Sequence, residues 1–170
     1  MVQAIRFHET GSADVLKLEH VEVGEPGPGQ ARVRHSLIAV NFIDIYFRTG
    51  RYPLALPNGL GSDAVGVVEA VGPGVTDIRV GDRVGYLIGP QGAYSQVLAA
   101  KGSIWLTRPA MVHYIHPRPH MLSMADELFG HVLAGRIVSE PQQSFALADA
   151  AEAHRALEGR KTTGATVLVP

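Results

Sequence analysis

Residues 39–53, AVNFIDIYFRTGRYP, gather Asn41, Asp44, Tyr46, Arg48, Arg51 and Tyr52 directly after an apolar run. Donors and acceptors collected at a strand end can orient a carbonyl or an amide against a bound reactant. The same residues also suit a capped turn whose tyrosines pack on the surface beneath, and both readings stand at this point. A second stretch, GLGSDAVGVVEAVGPGVTDIRVGDRVGY at 59–86, is rich in glycine but leads into the β-branched run VGVVEAV. A phosphate cradle needs a helix N-terminus after its glycines. These glycines therefore read as turn and close-approach positions. Four histidines, His113, His116, His120 and His131, make a third candidate. Pro117 and Pro119 break any helix that would align the first three, so their spacing defines no metal site and solvated loop histidines are expected.

The elements that must hold these groups follow from periodicity. VQAIRF, VLKLEHVEV, ARVRHSLIAV, AVGVVEAVG, DRVGYLI and AYSQVLAA read as short strands, separated by the turn segments EPGPGQ, VGPGV and VGD. Val33 between Arg32 and Arg34 is the alternation of a sheet with one wet face. Short strands at this spacing predict a small, partly open barrel. After residue 100 the pattern changes. GSIWLT reads as an apolar strand; Leu122, Ala125, Leu128, Phe129, Val132 and Leu133 recur at helical spacing, with Ser123 and Asp126 as a capping pair and Gly135 as the stop. A second helix is expected from Leu147 to Glu158, with Asp149 in its first turn and Gly159 after its end, followed by the strand GATVLVP.

Composition excludes several classes. Fifteen basic and sixteen acidic residues leave a net charge of -1, which offers no footprint for nucleic acid or an anionic membrane. Without a cysteine there is no disulfide, thiolate zinc site or cysteine nucleophile, which fits a reducing compartment. The start MVQAIRFHETG lacks the order of a signal peptide, and no apolar run reaches membrane length. A soluble, cytoplasmic protein is the expectation.

Taken together, AVNFIDIYFRTGRYP, the GLGSDAVGVVEAVG run, VGDRV with Tyr86, and GAYSQ at 92–96 resemble the N-terminal catalytic domain of quinone oxidoreductases. This is the zeta-crystallin-like branch of the medium-chain dehydrogenase/reductase superfamily, built on a GroES-like barrel. KGSIWLTRP, MADELFGHVLAGRI and FALADAAEAHRALEGRKTTGATVLVP resemble the C-terminal quarter of the same enzymes. The resemblance implies a mainly β fold with helices: a GroES-like, partly open barrel plus a C-terminal α/β segment, and no complete Rossmann domain. In the family the AYSQV strand leads into a doubly wound dinucleotide-binding domain, whereas here VLAA at 97–100 runs straight into KGSIWLTRP. Roughly 150 residues, the size of one compact domain, are missing between them. Residues 1–100 are thus expected to form the front of the catalytic domain, 101–135 a remnant strand and helix of the lost domain, and 136–170 the rear of the catalytic domain.

The resemblance also implies roles. Asn41 would orient a nicotinamide or a quinone, Tyr46 and Tyr52 would donate hydrogen bonds to the acceptor, and Phe42 and Ile43 would floor the site, with Asp44 bracing the turn. Arg108, Pro109 and Arg160 match positions near the cofactor, although Arg160 is equally well explained as a cation at a helix C-terminus. Zinc-dependent relatives carry metal ligands where Asn41 and Asp63 stand, so no catalytic metal is expected. The cofactor of a full-length parent would be NADPH and its substrate a small-molecule quinone. With the phosphate-binding domain gone, this chain is expected to bind no cofactor tightly and to keep little or no activity, a non-catalytic GroES-like interaction module being the alternative. Three further expectations follow. The C-terminal helix and VLV strand pack back on the barrel, because neither tail helix can bury its apolar face alone. No nucleic-acid or membrane partner exists. The chain forms a homo-oligomer through the exposed edge of GSIWLT and Trp105.

Overall fold

Alternating runs in the front half become two sheets. The structure, a computed structural model, describes residues 1–87, 91–101, 118–138 and 140–170. In the smaller sheet, β1 (Val2–Phe7) lies between β2 (Lys17–Val21) and β4 (Asn58–Gly59), antiparallel to both. The larger sheet is organised around β3 (Gln30–Ala39). One edge of β3 pairs with β5 (Ala64–Val71), which in turn pairs with β6 (Arg83–Tyr86). The other edge takes β7 (Val97–Lys101) at Gln30–Arg34 and then β9 (Thr166–Val169) at Ile38–Ala39. Beyond β9 lies β8 (Gln143–Ala146), in parallel register. The register of β3 shifts against β5 between Arg32 and Val33 and again between His35 and Leu37. Gly66 makes the second approach possible, since a Cβ there would stand 2.0 Å from the Arg34 carbonyl oxygen. The two sheets form an open arrangement rather than a closed barrel.

Among the described residues the α-helices are α1 (Phe42–Arg48), α2 (Arg118–Leu133) and α3 (Ala150–Glu158). The core draws on both ends of the chain. Phe7, Ile38, Leu60 and Tyr94 from the front pack in one cluster with Ala153 and Leu168 from the tail. The expected return of the last helix and strand to the front sheets is therefore present.

Other expectations change. The turn anticipated after β3 is a helix of two turns, α1. Helix α2 begins at Arg118, so Ser123 and Asp126 lie inside it and cap nothing. Its stop at Gly135 holds, with φ +69. Most of its apolar residues are exposed (Leu122, Met124, Leu128, Phe129 and Leu133, the last at 88%), while Ala125 and Val132 are half-buried. Helical spacing marks a face without supplying its partner. At the end of α3, Gly159 keeps φ -75 and the left-handed position falls on Arg160, at φ +53. The strand GSIWLT, with Trp105, lies outside the described residues, as do His113 and His116; His131 accepts a hydrogen bond from Arg136 Nε at 2.7 Å.

Candidate active site

Helix α1 is built inside out. It starts where β3 ends, with Asn41 extended at the N-cap and Asp44 three residues on. The Asp44 Oδ2 accepts from the Asn41 backbone N–H at 2.8 Å, and the Asn41 side chain faces the Asp44 backbone N–H in return, a capping box. The Asn41 Nδ2 also donates to Asp63 Oδ2 at 2.6 Å. The other Asp63 oxygen accepts from Ser62 Oγ at 2.7 Å, so that carboxylate is held on both sides. The Asn41 amide oxygen, which caps the Asp44 N–H, keeps a second lone pair as an acceptor. The helix closes at Thr49, whose N–H and Oγ1 both donate to the Ile45 carbonyl, at 2.9 and 2.8 Å. Gly50, at φ +78, then reverses the chain. The Tyr52 N–H returns to the Tyr46 carbonyl at 3.0 Å, and the two rings meet edge to face at 5.5 Å. Arg51 lies over the Tyr46 ring, 4.8 Å from its centroid.

A surface helix ordinarily buries its apolar stripe. Here Asp44 and Arg48, four residues apart, are fully buried, while Phe42 is 51% and Ile43 42% exposed. Tyr52 is 42% exposed beside them. The buried side joins Ile45 to a polar network. The Tyr94 hydroxyl lies 3.0 Å from Asp44 Oδ2 and 3.1 Å from His154 Nε2, and His154 Nδ1 lies 3.2 Å from Arg48 Nη1. Arg48 also makes a two-pronged pair with Glu158, at 2.6 and 3.2 Å. The Tyr94 ring occupies space that only a glycine at 61 leaves open, since a Cβ there would come within 2.3 Å of the ring. Burial pushes the Asp44 carboxyl up to about 7 against the opposing hydrogen bonds from Asn41 and Tyr94. Burial, then the neighbouring Arg48, holds His154 down at about 4. Tyr94 is raised well above its ordinary value, by burial first and Asp44 second. Two polar atoms of this network, Asp44 Oδ1 and Arg48 Nε, are buried without a partner.

Next to it, His35 Nδ1 pairs with the Ser95 carbonyl at 2.6 Å and its Nε2 with the Tyr86 hydroxyl at 3.0 Å. Because a carbonyl only accepts, Nδ1 carries the proton and Tyr86 donates.

Of the residues singled out in the sequence, Asn41, Phe42, Ile43, Asp44, Tyr46 and Tyr52 come together on α1 and the turn after it. Asp44, expected beside the cofactor and as a brace of the turn, is fully buried and caps α1 from within the core. Arg160 lies on a different element, exposed after α3, and Arg108 and Pro109 lie outside the described residues. Sequence reasoning overlooked Tyr94, His154 and Glu158. The signal for His154 was its place beside Ala150, Ala153 and Leu157 at helical spacing, which marks a buried histidine.

These residues fit one end of a dinucleotide better than the other. An exposed apolar wall with an amide oxygen beside it suits a nicotinamide ring and its carboxamide. The glycine-rich run leads through an extended segment into β5, so no loop-to-helix phosphate cradle occurs among the described residues.

Comparison with known proteins accords with this geometry. Residues 27–109 match the alcohol dehydrogenase GroES-like domain family. Over 98 residues, 57% of this chain and 30% of the relative, the sequence is 50% identical to a quinone oxidoreductase of Pseudomonas aeruginosa. A 2-haloacrylate reductase of a Burkholderia species is 50% identical over 100 residues, with 56% and 30% covered. The matched part thus spans about a third of the length of these curated relatives. The fold is similar to that of Escherichia coli quinone oxidoreductase complexed with NADPH, with a TM-score of 0.88 at 21% identity, covering 99% of this chain and 100% of that one.

Proposed function

We propose that this chain belongs to the quinone oxidoreductases of the medium-chain dehydrogenase/reductase family and is the catalytic, substrate-side part of an NADPH-dependent quinone reductase. The observation that carries this reading is the inverted helix α1, which holds its polar residues in the core and offers Phe42, Ile43 and Tyr52 to a ligand. NADPH, when bound, supplies the hydride. The chain's own residues supply position and polarity. The Asn41 amide oxygen accepts from the nicotinamide carboxamide, because its nitrogen is committed to Asp63. Phe42 and Ile43 form an apolar floor that keeps water from the reacting faces. Tyr46 and Tyr52 donate to the quinone oxygen on which charge builds as it is reduced, with Arg51 above Tyr46 adding positive potential. Asp44 holds the start of α1 and transfers no proton.

The reaction is read as zinc-independent. An amide and a carboxylate bonded to one another at 2.6 Å stand where a metal would have to bind, and the sequence has no cysteine to offer. Arg160 is assigned to the cofactor's side. A non-glycine residue at φ +53 is a strained position of the kind that clusters at functional sites. Arg108 and Pro109 are assigned there too, by family resemblance alone. Residues 1–100 and 136–170 are the two parts of the catalytic domain and 101–135 belongs with a cofactor domain. A full-length cytoplasmic parent, homo-oligomeric and acting on a small quinone, completes the proposal, and this chain by itself has little or no activity.

The test is titration with NADPH followed by heteronuclear NMR and calorimetry. Millimolar NADPH is expected to move the Asn41 side-chain amide and the Tyr46 and Tyr52 rings, with a dissociation constant weaker than roughly 100 μM for want of a phosphate cradle. Low-micromolar binding, or shifts confined to other surfaces, would overturn it. NADPH oxidation with a simple benzoquinone should stay near the uncatalysed rate.

A further inference from the structure

We infer that His154 is a positioning residue for this site: it is the middle member of a one-way hydrogen-bond chain, from Arg48 through His154 and Tyr94 to Asp44, that ties the docking of α3 to the setting of α1. The direction follows from the chemistry of the end member. A guanidinium has five N–H donors and no acceptor, so the 3.2 Å contact between Arg48 Nη1 and His154 Nδ1 requires that Nδ1 accept. A neutral ring with Nδ1 bare carries its proton on Nε2, which therefore donates to the Tyr94 oxygen at 3.1 Å. The Tyr94 hydrogen is then left for Asp44 Oδ2 at 3.0 Å. Oδ2 also receives the Asn41 N–H at 2.8 Å, so it is fully engaged, and a proton taken up by Asp44 must sit on Oδ1, the buried oxygen without a partner.

Such a chain cannot run backwards, because Arg48 has no lone pair to offer at its far end. It does not conduct protons. It orients the Tyr94 hydroxyl toward the carboxylate that holds the first turn of α1, the turn whose cap is Asn41 and whose outer face is Phe42 and Ile43. Every link is buried, where hydrogen bonds are strong and misdirected ones are costly. The charged and titratable groups around the chain are Asp44 and Arg48 on α1, Asp63 behind Asn41, Tyr94 before β7, and His154 and Glu158 on α3. His154 is the only one of these whose two ring atoms join α1 to the Tyr94 segment. Calling the outer face of α1 a site rests on the proposed function; the coupling of α3 to α1 does not.

The test uses the 170-residue chain and needs no turnover. Nitrogen-15 spectra of the histidine rings should show His154 as the Nε2–H form, neutral throughout the range from pH 7 to 5. A proton on Nδ1, or titration at the ordinary histidine value, would overturn the chain's direction. In His154→Leu, the Asn41 side-chain amide and the Tyr46 ring resonances should shift. In His154→Gln, whose amide oxygen faces Arg48 and whose N–H faces Tyr94, they should return toward their original positions. Resonances that stay in place in a folded His154→Leu would show that α3 merely rests on α1. If that variant does not fold, Tyr94→Phe carries the same question: it keeps the ring and deletes the hydroxyl's two hydrogen bonds, from His154 and to Asp44, so the Asp44 carboxyl, followed by carbon-13 spectra, should titrate at higher pH than before. An unmoved midpoint would end the proposal. All of these results are independent of whether NADPH binds.

Discussion

Helices α2 and α3 both belong to the tail of the chain, and both carry apolar residues at helical spacing, yet among the described residues only α3 enters the core cluster. Helix α2 is the longer and leaves Phe129 61% exposed, while the nine residues of α3 bury Ala150, Ala153 and His154 completely. What separates them is not apolar content but fixed partners. Helix α3 has Arg48 waiting for Glu158 and His154, Tyr94 on the other side of His154, and Asp14 in the turn before β2 paired with Arg155. It is also followed directly by β9, which pairs with β3 at Ile38–Ala39. An apolar stripe lowers the free energy of any apolar neighbour, whereas a buried donor and acceptor select one neighbour in one orientation. The lesson is that a short helix with matched polar contacts is placed more firmly than a long one without them.

The contrast can be broken at its strongest point first. Leu168 in β9 is fully buried in the joint core, and Leu168→Ala should remove about 4 kcal/mol of stability, read as a fall in the urea midpoint with an unchanged slope. A loss under 1 kcal/mol would mean that the tail is not part of the core.

The next effect concerns acid. Folded Asp44 keeps its proton up to about pH 7 while the unfolded side chain loses its own near 3.8, so Asp44 adds stability as pH falls through that window. His154 does the reverse. The folded ring stays neutral down to about 4 while the unfolded ring protonates near 6.5, so stability is lost as pH falls from 6.5 to 4. The two oppose one another, and the chain should be nearly insensitive to pH between 4.5 and 6.5 on account of this pair, to within roughly 1 kcal/mol. Asp44→Asn should expose the histidine alone: denaturation midpoints should drop with a slope of roughly 1.4 kcal/mol per pH unit, about 3 kcal/mol in all. A flat profile in that variant would contradict the buried, neutral His154.

Smaller again is Glu158→Ala. It leaves the Arg48 guanidinium buried without its carboxylate, but Glu158 itself is partly exposed, so a loss of about 2 kcal/mol is expected rather than the full cost of an orphaned buried charge. Thermal unfolding at pH 7 measures it. Smallest is Phe129→Ala, which should change stability by less than about 0.5 kcal/mol. A cost approaching that of Leu168→Ala would show that α2 has a packed partner in this chain and would dissolve the contrast.

Much of this was readable in advance, and the parts that were not share a cause. The alternation in ARVRHSLIAV and the run AVGVVEAVG became β3 and β5, because one wet and one dry face leave a period of two in the residues themselves. The segment 39–53 was recognised as the place for a ligand. That it would be a helix was not, because its buried face mixes Ile45 with Asp44 and Arg48 while Phe42 and Ile43 lie outside, so apolar periodicity does not mark it. The partners that permit that arrangement stand far away along the chain, His154 106 positions and Glu158 110 positions from Arg48. Local pattern cannot register a pairing of that kind. The misreading of α2 has the opposite form, a clear stripe whose partner the pattern could not name.

The way β3 receives its neighbours has one more consequence. Strands β7 and β9 sit end to end along a single edge of β3, with Val97 opposite Arg34 and Leu168 opposite Ile38. The chain leaves this edge at Lys101 and comes back to the same sheet at Gln143, about 40 residues later. Both ends of that excursion are pinned to one sheet, β7 on β3 and β8 on β9, so its length is free to vary. Lengthening it by about 150 residues is roughly two doublings, and ring-closure entropy charges only about 1.2 kcal/mol for that. The sheet is therefore a socket into which a whole second folded body can be spliced or from which it can be withdrawn, while every hydrogen bond of β3 keeps its partner.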